Sequence, residues 1–383
     1  MATGGAPPFH SKATYSASGV IDRKYGRDRS YPFPKLEYDR VMDAANFSIP
    51  DFSLLTPADV ADAAEATLGV RVDGTLTPYP SYINRVYGLR TEDGDRVIAK
   101  FYRPGRWTER AIRAEHSFAF ECAAALIPAL VPMADSEGDT LGTVVVEDDD
   151  GGERAFFFAL YPFITGRGWE PEDDEALIAL GRIVGSLHAV GASAPAPDRR
   201  EIHPERSTRP SLRRLVDGGF VHPEFRAEFE DACASALDAI GPLFEGVPYH
   251  RLHGDLHRGN VLSIPDASGI HAARPLLIDF DDMATGPAVQ DLWLFLPGRL
   301  EDSRRELALL TEGYAEIRRF DFAQTALVEP LRFMRMLGYL DWQALQSADE
   351  GFLRAFPDWG CRAFWIKELE DLRDQAAVVR DAL

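Results

Sequence analysis

Two short polar motifs constrain this chain more than any other part of its sequence. The first, HGDLHRGN at 253–260, places Asp255 and Asn260 five positions apart in a glycine-containing turn ahead of an apolar segment. The second, LLIDFDD at 276–282, places Asp279 directly after an apolar run that is typical of a short strand. For these groups to act together, two loops on neighbouring strands must converge.

The residue types in the two motifs are those of a magnesium and nucleotide site. Mg²⁺ is usually held by one or two protein oxygens together with water and phosphate oxygens, which Asn260 and Asp279 can supply. Asp255 can orient an attacking hydroxyl and take its proton late in the reaction. The pattern therefore predicts phosphoryl transfer from a metal-bound nucleotide. The alternative is that these side chains only form turns and caps, as Asp and Asn commonly do.

A kinase also needs a positive group for the nucleotide phosphates. Lys100 lies among strand-forming residues in VIAKFY, so its ammonium can project from a strand into a cleft. Glu115 on the following helical segment is its natural partner, and Glu121 is the alternative. The alternative for Lys100 itself is a solvated position at a strand end.

Three further polar residues near the motifs are interpreted as structural. His253 is expected to brace its loop, and His257 is not expected to bind a metal. Asp291 begins a helical segment in VQDLWLF and is expected to support the catalytic loop through hydrogen bonds.

Composition limits the partners of the protein. The 383 residues carry 41 basic and 61 acidic side chains, a net charge of −20, which disfavours binding to nucleic acids and to anionic membranes. The three cysteines are widely spaced, as expected of reduced thiols in the cytoplasm. The N-terminus lacks the apolar segment of a signal peptide, and the longest apolar run, 155–164, is too short for a membrane helix.

Periodicity predicts an α+β chain in three parts. Residues 1–51 are expected to form a partly mobile extension, 52–165 a sheet-rich unit and 166–383 a mainly helical unit with the motifs. Strands are predicted at 81–90, 96–102, 143–148, 154–163, 260–264 and 275–280. Helices are predicted at 56–70, 108–126, 175–191, 223–240, 300–318, 325–347 and 361–382.

Together these motifs resemble the aminoglycoside-phosphotransferase-like branch of the protein kinase superfamily, in which HGD stands where eukaryotic kinases have HRD. Segments outside the motifs, within about residues 52–370, resemble the bacterial stress response kinase A family of Ser/Thr protein kinases. These segments are LTPYPSYINRVYGL (76–89), VIAKFYRPGRWT (97–108), GPAVQDLW (286–293) and EPLRFMRMLGYL (329–340).

The resemblance implies a two-lobed kinase fold and the use of ATP and Mg²⁺. It further implies phosphorylation of Ser/Thr hydroxyls on protein substrates and on the kinase itself, in a stress response, by a protein expected to be a monomer. Asp255 matches the proton acceptor of the family, Asn260 and Asp279 match its metal ligands, and Asp279 also counts as an active-site residue. Lys100 matches the phosphate-contacting lysine, and Ser81 falls on the phosphate-facing turn between the first strands.

The chain departs from eukaryotic kinases in three ways. It has no GxGxxG, so backbone N–H groups and the Ser81 hydroxyl would hold phosphate. The DFG segment becomes Asp279-Phe280-Asp281, which puts a flipping inactive state in doubt. Too few residues follow Asp281 for a phosphorylated activation loop.

Two other function classes remain open from the sequence. A small-molecule kinase acting on an aminoglycoside, choline, homoserine or a sugar would use the same core chemistry, and an acidic surface would attract cationic aminoglycosides. A nucleotide-binding pseudokinase is disfavoured because Lys100, Asp255, Asn260 and Asp279 are all present.

Overall fold

The computed structural model describes residues 52–79, 81, 83–147, 152–265, 273–347 and 350–381. The predicted extension at 1–51 lies outside these ranges. Residues 148–151 also lie outside them; they belong to the acidic segment EDDDGGE (147–153), for which the sequence predicts a hairpin turn with solvated charges. The chain is α+β, with a sheet-rich N-terminal region and a helical C-terminal part.

The N-terminal region begins with a helix, α1 (Pro57–Leu68), as predicted. Thr56 and Asp59 form a reciprocal capping box at its start, and Pro57 occupies the first turn. Gly69 ends the helix with φ 69°, a left-handed conformation in which glycine has no steric penalty. Local sequence signals alone therefore determine both ends of α1.

Five antiparallel strands form the N-terminal sheet in the order β1-β2-β3-β5-β4. They are β1 (Val72–Tyr79), β2 (Arg85–Thr91), β3 (Arg96–Phe101), β4 (Gly142–Glu147) and β5 (Glu153–Pro162). The strands predicted at 96–102, 143–148 and 154–163 are confirmed, whereas the one predicted at 81–90 begins at Arg85. β1 was missed because it is an edge strand with mostly exposed residues and no alternating apolar pattern.

Helix α2 (Glu109–Ala124) connects β3 to β4 and lies next to the second motif. The helical spacing of apolar residues predicts that Ile112, Phe118, Cys122 and Leu126 form one buried stripe. Thr108 caps the start of the helix, and Ile112, Phe118 and Cys122 are buried as predicted. The prediction that Leu126 continues this stripe is wrong. The helix ends at Ala124, and Leu126 adopts φ 62° and is 92% exposed.

The C-terminal part contains eight helices among the described residues. They are α3 (Asp174–Gly191), α4 (Arg209–Asp217), α5 (Arg226–Ile240), α6 (Gln290–Trp293), α7 (Arg304–Ile317), α8 (Val328–Gln346), α9 (Glu350–Ala355) and α10 (Arg362–Asp381). α6 confirms the helical segment predicted at Asp291. α4 and α9 were not predicted because they are short and α4 is rich in arginine. No described helix combines the length and the apolar character that a membrane crossing needs.

Two small sheets in this part carry the motifs. β6 (Arg167–Gly168), β8 (Val261–Ile264) and β9 (Arg274–Leu277) form one in the order β6-β8-β9, and β7 (His250–Leu252) pairs with β10 (Ala284–Gly286). The first motif runs from β7 to β8 and the second from β9 to β10. Because β7 pairs antiparallel with β10, and β8 pairs antiparallel with β9, the two motif loops lie side by side.

Helices α3 and α7 pack with their backbones in unusually close approach. A Cβ atom on Gly313 would lie 1.9 Å from the carbonyl oxygen of Ile178, and one on Gly181 would lie 2.1 Å from that of Leu310. Backbone atoms cannot move aside as flexible side chains do, so this interface requires glycine on both helices.

We expect Gly313→Ala to lower the free energy of unfolding by about 1–3 kcal/mol, because the added methyl group overpacks the interface. Urea denaturation followed by circular dichroism measures the loss. Gly241→Ala is the matched control, since a Cβ there meets nothing within 4 Å and the backbone has φ −48°. Equal stability of the two variants would contradict this account of the α3–α7 contact.

Candidate active site

Asp255 lies in the first motif loop as a buried carboxylate held between two basic side chains. Its Oδ1 is 2.9 Å from Nη2 of Arg335, and its Oδ2 is 3.4 Å from Nε2 of His257. Burial by itself raises the pKa of Asp255, but the charges of Arg335 and His257 outweigh it and hold that pKa below its usual range. Such a carboxylate is ionised at neutral pH and is a weak base, so it is suited to orienting a hydroxyl rather than deprotonating it early.

Asn260 is almost completely buried at the end of the same loop. Its Nδ2 donates a hydrogen bond of 2.8 Å to the backbone carbonyl of Asp255. Among the residues that the structure describes, the Oδ1 atom of Asn260 has no hydrogen-bond partner, although it is buried. A buried carbonyl oxygen without a donor is costly. The orientation fits a residue that offers this oxygen to a cation.

Asp279 begins the second motif loop in a strained conformation. Its φ of 66° and ψ of 63° are left-handed, and only Leu126 shares a positive φ among the described non-glycine residues. Such strain costs about 1–3 kcal/mol and concentrates at functional sites. The next residue back, Ile278, donates its backbone N–H to the carbonyl of Asn260 at 3.0 Å. The two motif loops are therefore directly joined.

Lys100 on β3 crosses from the N-terminal sheet to the second motif. Its Nζ lies 3.0 Å from Oδ1 of Asp279, 3.4 Å from Oδ1 of Asp281 and 3.9 Å from Oε1 of Glu115. Burial alone would lower the pKa of Lys100, but these three carboxylates raise it well above its ordinary value. The ammonium is therefore fully charged, as a phosphate-binding group must be.

The structure places Glu115, not Glu121, beside Lys100. Glu115 is buried on α2, and burial raises its pKa to about 7 while Lys100 opposes that rise. Glu121 lies nearly two turns further along α2 and pairs with Arg251 at 2.6 Å. The alternative left open by the sequence is resolved by the direction of each side chain from the helix.

Ser81 lies half-buried between β1 and β2, and its neighbours Pro80 and Tyr82 are outside the described residues. Within the described part of the chain, no hydrogen bond joins Ser81 to Lys100 or to the two motif loops. The structure therefore brings together Lys100, Glu115, Asp279, Asp255 and Asn260, and leaves Ser81 at the turn of the sheet.

Asp281 is a site residue whose role sequence reasoning missed. It occupies the position of the DFG glycine, and its buried carboxylate pairs with Arg106 and accepts a 3.1 Å hydrogen bond from Nδ2 of Asn84. Burial would raise the pKa of Asp281, but Arg106 and Lys100 lower it. Arg106 also binds Asp282 at 3.0 Å. The only available signal was that Asn84 and Arg106 lie in segments that carry the family resemblance.

Asp291 supports the first motif loop from α6, which confirms its interpretation as a structural residue. The buried carboxylate accepts hydrogen bonds from the backbone N–H groups of His253 at 2.7 Å and Gly254 at 2.9 Å, and lies 3.1 Å from Nε2 of His188. Gly254 has φ 86°, and a Cβ there would lie 2.1 Å from the carbonyl oxygen of Asp282. The loop is thus fixed by one carboxylate and one close backbone contact.

The expectation that His253 braces its loop is also confirmed. The ring packs against Phe280 with a centroid distance of 4.6 Å, and its Nε2 lies 3.0 Å from the carbonyl oxygen of Ile278. His257 bonds within its own turn, where Nδ1 accepts the backbone N–H of Gly259 at 2.9 Å.

Asp291→Ala should reduce the free energy of unfolding by about 3 kcal/mol or more, because two buried backbone N–H groups lose their acceptor. Urea denaturation again gives the value. Glu316→Ala serves as the control, since Glu316 makes an exposed ion pair with Arg182 and its removal is expected to cost less than about 1 kcal/mol. Similar losses in both variants would rule out the supporting role of Asp291.

Comparison with known proteins agrees with this geometry. The chain matches the phosphotransferase enzyme family over residues 75–328. It is 34% identical over 351 residues to stress response kinase A of Escherichia coli (strain K12), covering 88% of this chain and 97% of that protein. It is 33% identical over 331 residues to the serine/threonine protein kinase RdoA of Salmonella typhimurium (strain LT2), covering 86% and 95%.

Solved structures share the fold at low sequence identity. An amicoumacin kinase in complex with AMP-PNP and Ca²⁺ superimposes with a TM-score of 0.63 at 17% identity, covering 82% of this chain and 92% of that one. A spectinomycin phosphotransferase in complex with ADP gives a TM-score of 0.57 at 16% identity, covering 85% and 98%. With relatives matched over nearly their whole length, this chain belongs to the phosphotransferase enzyme family, in the group of the stress response kinase A proteins.

Proposed function

We propose that the protein is an ATP-dependent kinase that phosphorylates Ser/Thr hydroxyls of proteins, including its own, with Mg²⁺ and in a stress response. The observation that carries this proposal is the 3.0 Å contact between Lys100 and Asp279 beside the loop of Asp255 and Asn260. This contact supports the proposal because Lys100 and Asp279 lie next to the loop of Asp255 and Asn260, as a phosphate-binding cation, metal ligands and a hydroxyl-orienting carboxylate would need to. The acceptor class in this proposal, the Ser/Thr hydroxyls of proteins, is taken from the name of the relative from Salmonella typhimurium.

The roles of the residues follow from their surroundings. We assign the nucleotide phosphates to the region 52–165, where Glu115 holds Lys100 toward the cleft, and the catalytic loop and metal ligands to 166–383. Ser81 and the backbone of its turn are proposed to contact phosphate from the side of the sheet. Since Lys100 also contacts Asp279, the same side chain fixes the second motif loop relative to the sheet.

Asp255 is proposed to accept a hydrogen bond from the substrate hydroxyl. The hydroxyl oxygen forms a bond to the γ-phosphorus, the bond from that phosphorus to the bridging oxygen of ADP breaks, and the proton passes to Asp255 late and then to solvent. The low pKa of Asp255 suits this order of events, because a loose transition state needs little early deprotonation.

Asn260 and Asp279 would hold the Mg²⁺ ion. The partnerless Oδ1 of Asn260 and the anionic side chain of Asp279, in loops joined by a hydrogen bond, fit a hard cation that uses few protein oxygens. When bound, the ion neutralises charge on the β- and γ-phosphates.

A small-molecule kinase is the second candidate. The net charge of −20 favours it, because an acidic surface attracts cationic acceptors such as aminoglycosides. The core chemistry is the same for either acceptor, so only the acceptor distinguishes the two candidates.

Incubation with γ-labelled ATP and Mg²⁺ should place label on the protein itself and on a generic Ser-containing protein substrate. Asp255→Ala should reduce the labelling rate by about 10²–10⁴-fold while nucleotide binding, measured by calorimetry, persists. Glu316→Ala should label like the wild type. If label passes only to aminoglycosides or other small alcohols in a parallel panel, the protein kinase assignment is wrong.

Asn260→Ala and Asp279→Ala should each raise the Mg²⁺ concentration that gives half-maximal rate, because each removes one proposed ligand. Titration of the metal at saturating ATP measures this shift. Asp371→Ala, which alters a half-buried carboxylate that pairs with Lys367 on α10, is the control. Metal dependence that is unchanged in both site variants would remove these residues from the metal site.

A further inference from the structure

A cavity of about 410 Å³ adjoins the catalytic loop and is also lined by residues 105–107, between β3 and α2. Its wall includes Gly254 of the first motif and Gln290 at the start of α6, whose Nε2 donates to the carbonyl of Gly254 at 3.0 Å. The segment 200–214 forms the opposite wall. This volume lies in the range of ligand pockets.

One face of α8 forms the floor of the cavity. Leu331, Met334, Arg335 and Gly338 line it, and their spacing of three and four residues places them on the same side of the helix. Arg335 also contacts the carboxylate of Asp255 at 2.9 Å. The cavity therefore opens beside the group proposed to orient the acceptor hydroxyl, which makes it the natural place for the acceptor.

The charged side chains of the lining are almost all basic. Glu201, which pairs with Arg206, is the single acidic residue among the described residues of the lining, and carboxylates outside the lining pair with the other arginines: Asp255, Asp281, Asp282 and Asp341. Five arginines line the cavity: Arg106, Arg200, Arg206, Arg214 and Arg335. We call this space the arginine cavity.

Ion pairing gives each of these arginines a partner, but it does not explain why all five line the same cavity. Arg214 binds Asp341 through Nε at 3.0 Å, and Arg200 lies 3.4 Å from Asp282. Pairs of this kind can form anywhere on a surface with 61 acidic residues, yet five arginines surround one opening beside the catalytic loop. A guanidinium has five N–H donors, so one that binds a carboxylate can still bind a second anion.

Neutral hydroxyl groups also line the cavity, together with apolar side chains. Ser207, Thr208 and Ser211 stand between the arginines, and Ser211 Oγ accepts a hydrogen bond from Arg214 at 3.2 Å. Arginines with interspersed hydroxyls are the side chains that proteins use for carboxylate and phosphate groups. A cationic aminoglycoside would instead meet like charge.

We propose that the arginine cavity receives an anionic side chain, a carboxylate or a phosphate, next to the acceptor Ser or Thr of a protein substrate. The proposal rests on the proposed Ser/Thr kinase function and gives that function a substrate class. The overall negative charge of the protein repels such substrates at a distance, so the cavity supplies the local attraction that lets them bind.

Four peptides that differ only beside one central serine test this selectivity in the wild-type protein. The flanking residues are alanine, lysine, glutamate or phosphoserine, and kcat/KM is measured with labelled ATP. Glutamate or phosphoserine should exceed lysine by about tenfold or more, the value of one charge-assisted hydrogen bond. Preference for glutamate over phosphoserine, or the reverse, identifies which anion the cavity takes.

Equal kcat/KM for the glutamate and lysine peptides would overturn the proposal while leaving the kinase function intact. Absence of label from every peptide and protein, with label on a small alcohol, would overturn both. The two failures are therefore distinguishable.

A double variant tests whether the selectivity arises in this cavity. Arg200→Gln with Arg206→Gln should lower the ratio of glutamate to lysine kcat/KM at least threefold, whereas a purely structural role would change all four peptides alike. Arg305→Gln with Arg373→Gln is the matched control, because these exposed arginines pair with Asp174 and Glu228 outside the cavity. An unchanged ratio in the first double variant would rule out the arginine cavity as the source of selectivity.

Discussion

The contact of Lys100 with Asp279 and Asp281 holds the candidate site together. A buried ammonium is costly unless several acceptors surround it, and Lys100 has three carboxylates within 3.0–3.9 Å. Two of these belong to the second motif and one to α2, so satisfying a single charge aligns the sheet, the helix and the loop. Loss of one partner from such a buried pair typically costs about 3–5 kcal/mol. The alignment of these three elements around the site therefore depends on this cluster of charges.

Asp281 makes the arrangement different from that of a eukaryotic kinase. A glycine at this position would leave the segment free to rotate, whereas Asp281 is held by Arg106, Asn84 and Lys100, all from the N-terminal region. Rotation of the segment would separate the buried carboxylate of Asp281 from the buried cations of Arg106 and Lys100. The sequence-based doubt about a flipping inactive state therefore gains a physical reason, which is the anchoring of this carboxylate rather than the absence of glycine alone.

The opposite side of the catalytic loop is organised by Arg335. Its contact with Asp255 joins the proposed hydroxyl-orienting group to α8, whose face then forms the floor of the arginine cavity. The proposed nucleotide side of the site is thus ordered from β3 and α2, and the proposed acceptor side from α8. This division explains how a common core could serve different acceptors, because the side chains on α8 and on 200–214 can change while Asp255 and Asn260 stay in place.

Local signals in the sequence determined the ends of α1, most strands of the sheet and the long helices, and they indicate the chemistry that we propose for the two motifs. They sufficed because caps, apolar periodicity and short motifs act over a few residues. The tertiary structure alone decided that Glu115 rather than Glu121 reaches Lys100, that Asp281 binds Arg106 across 175 residues, and that Arg335 contacts Asp255. These pairings depend on which side chains face each other after the helices pack against the sheet. The spacing of residues along the chain does not encode which way a side chain points after packing.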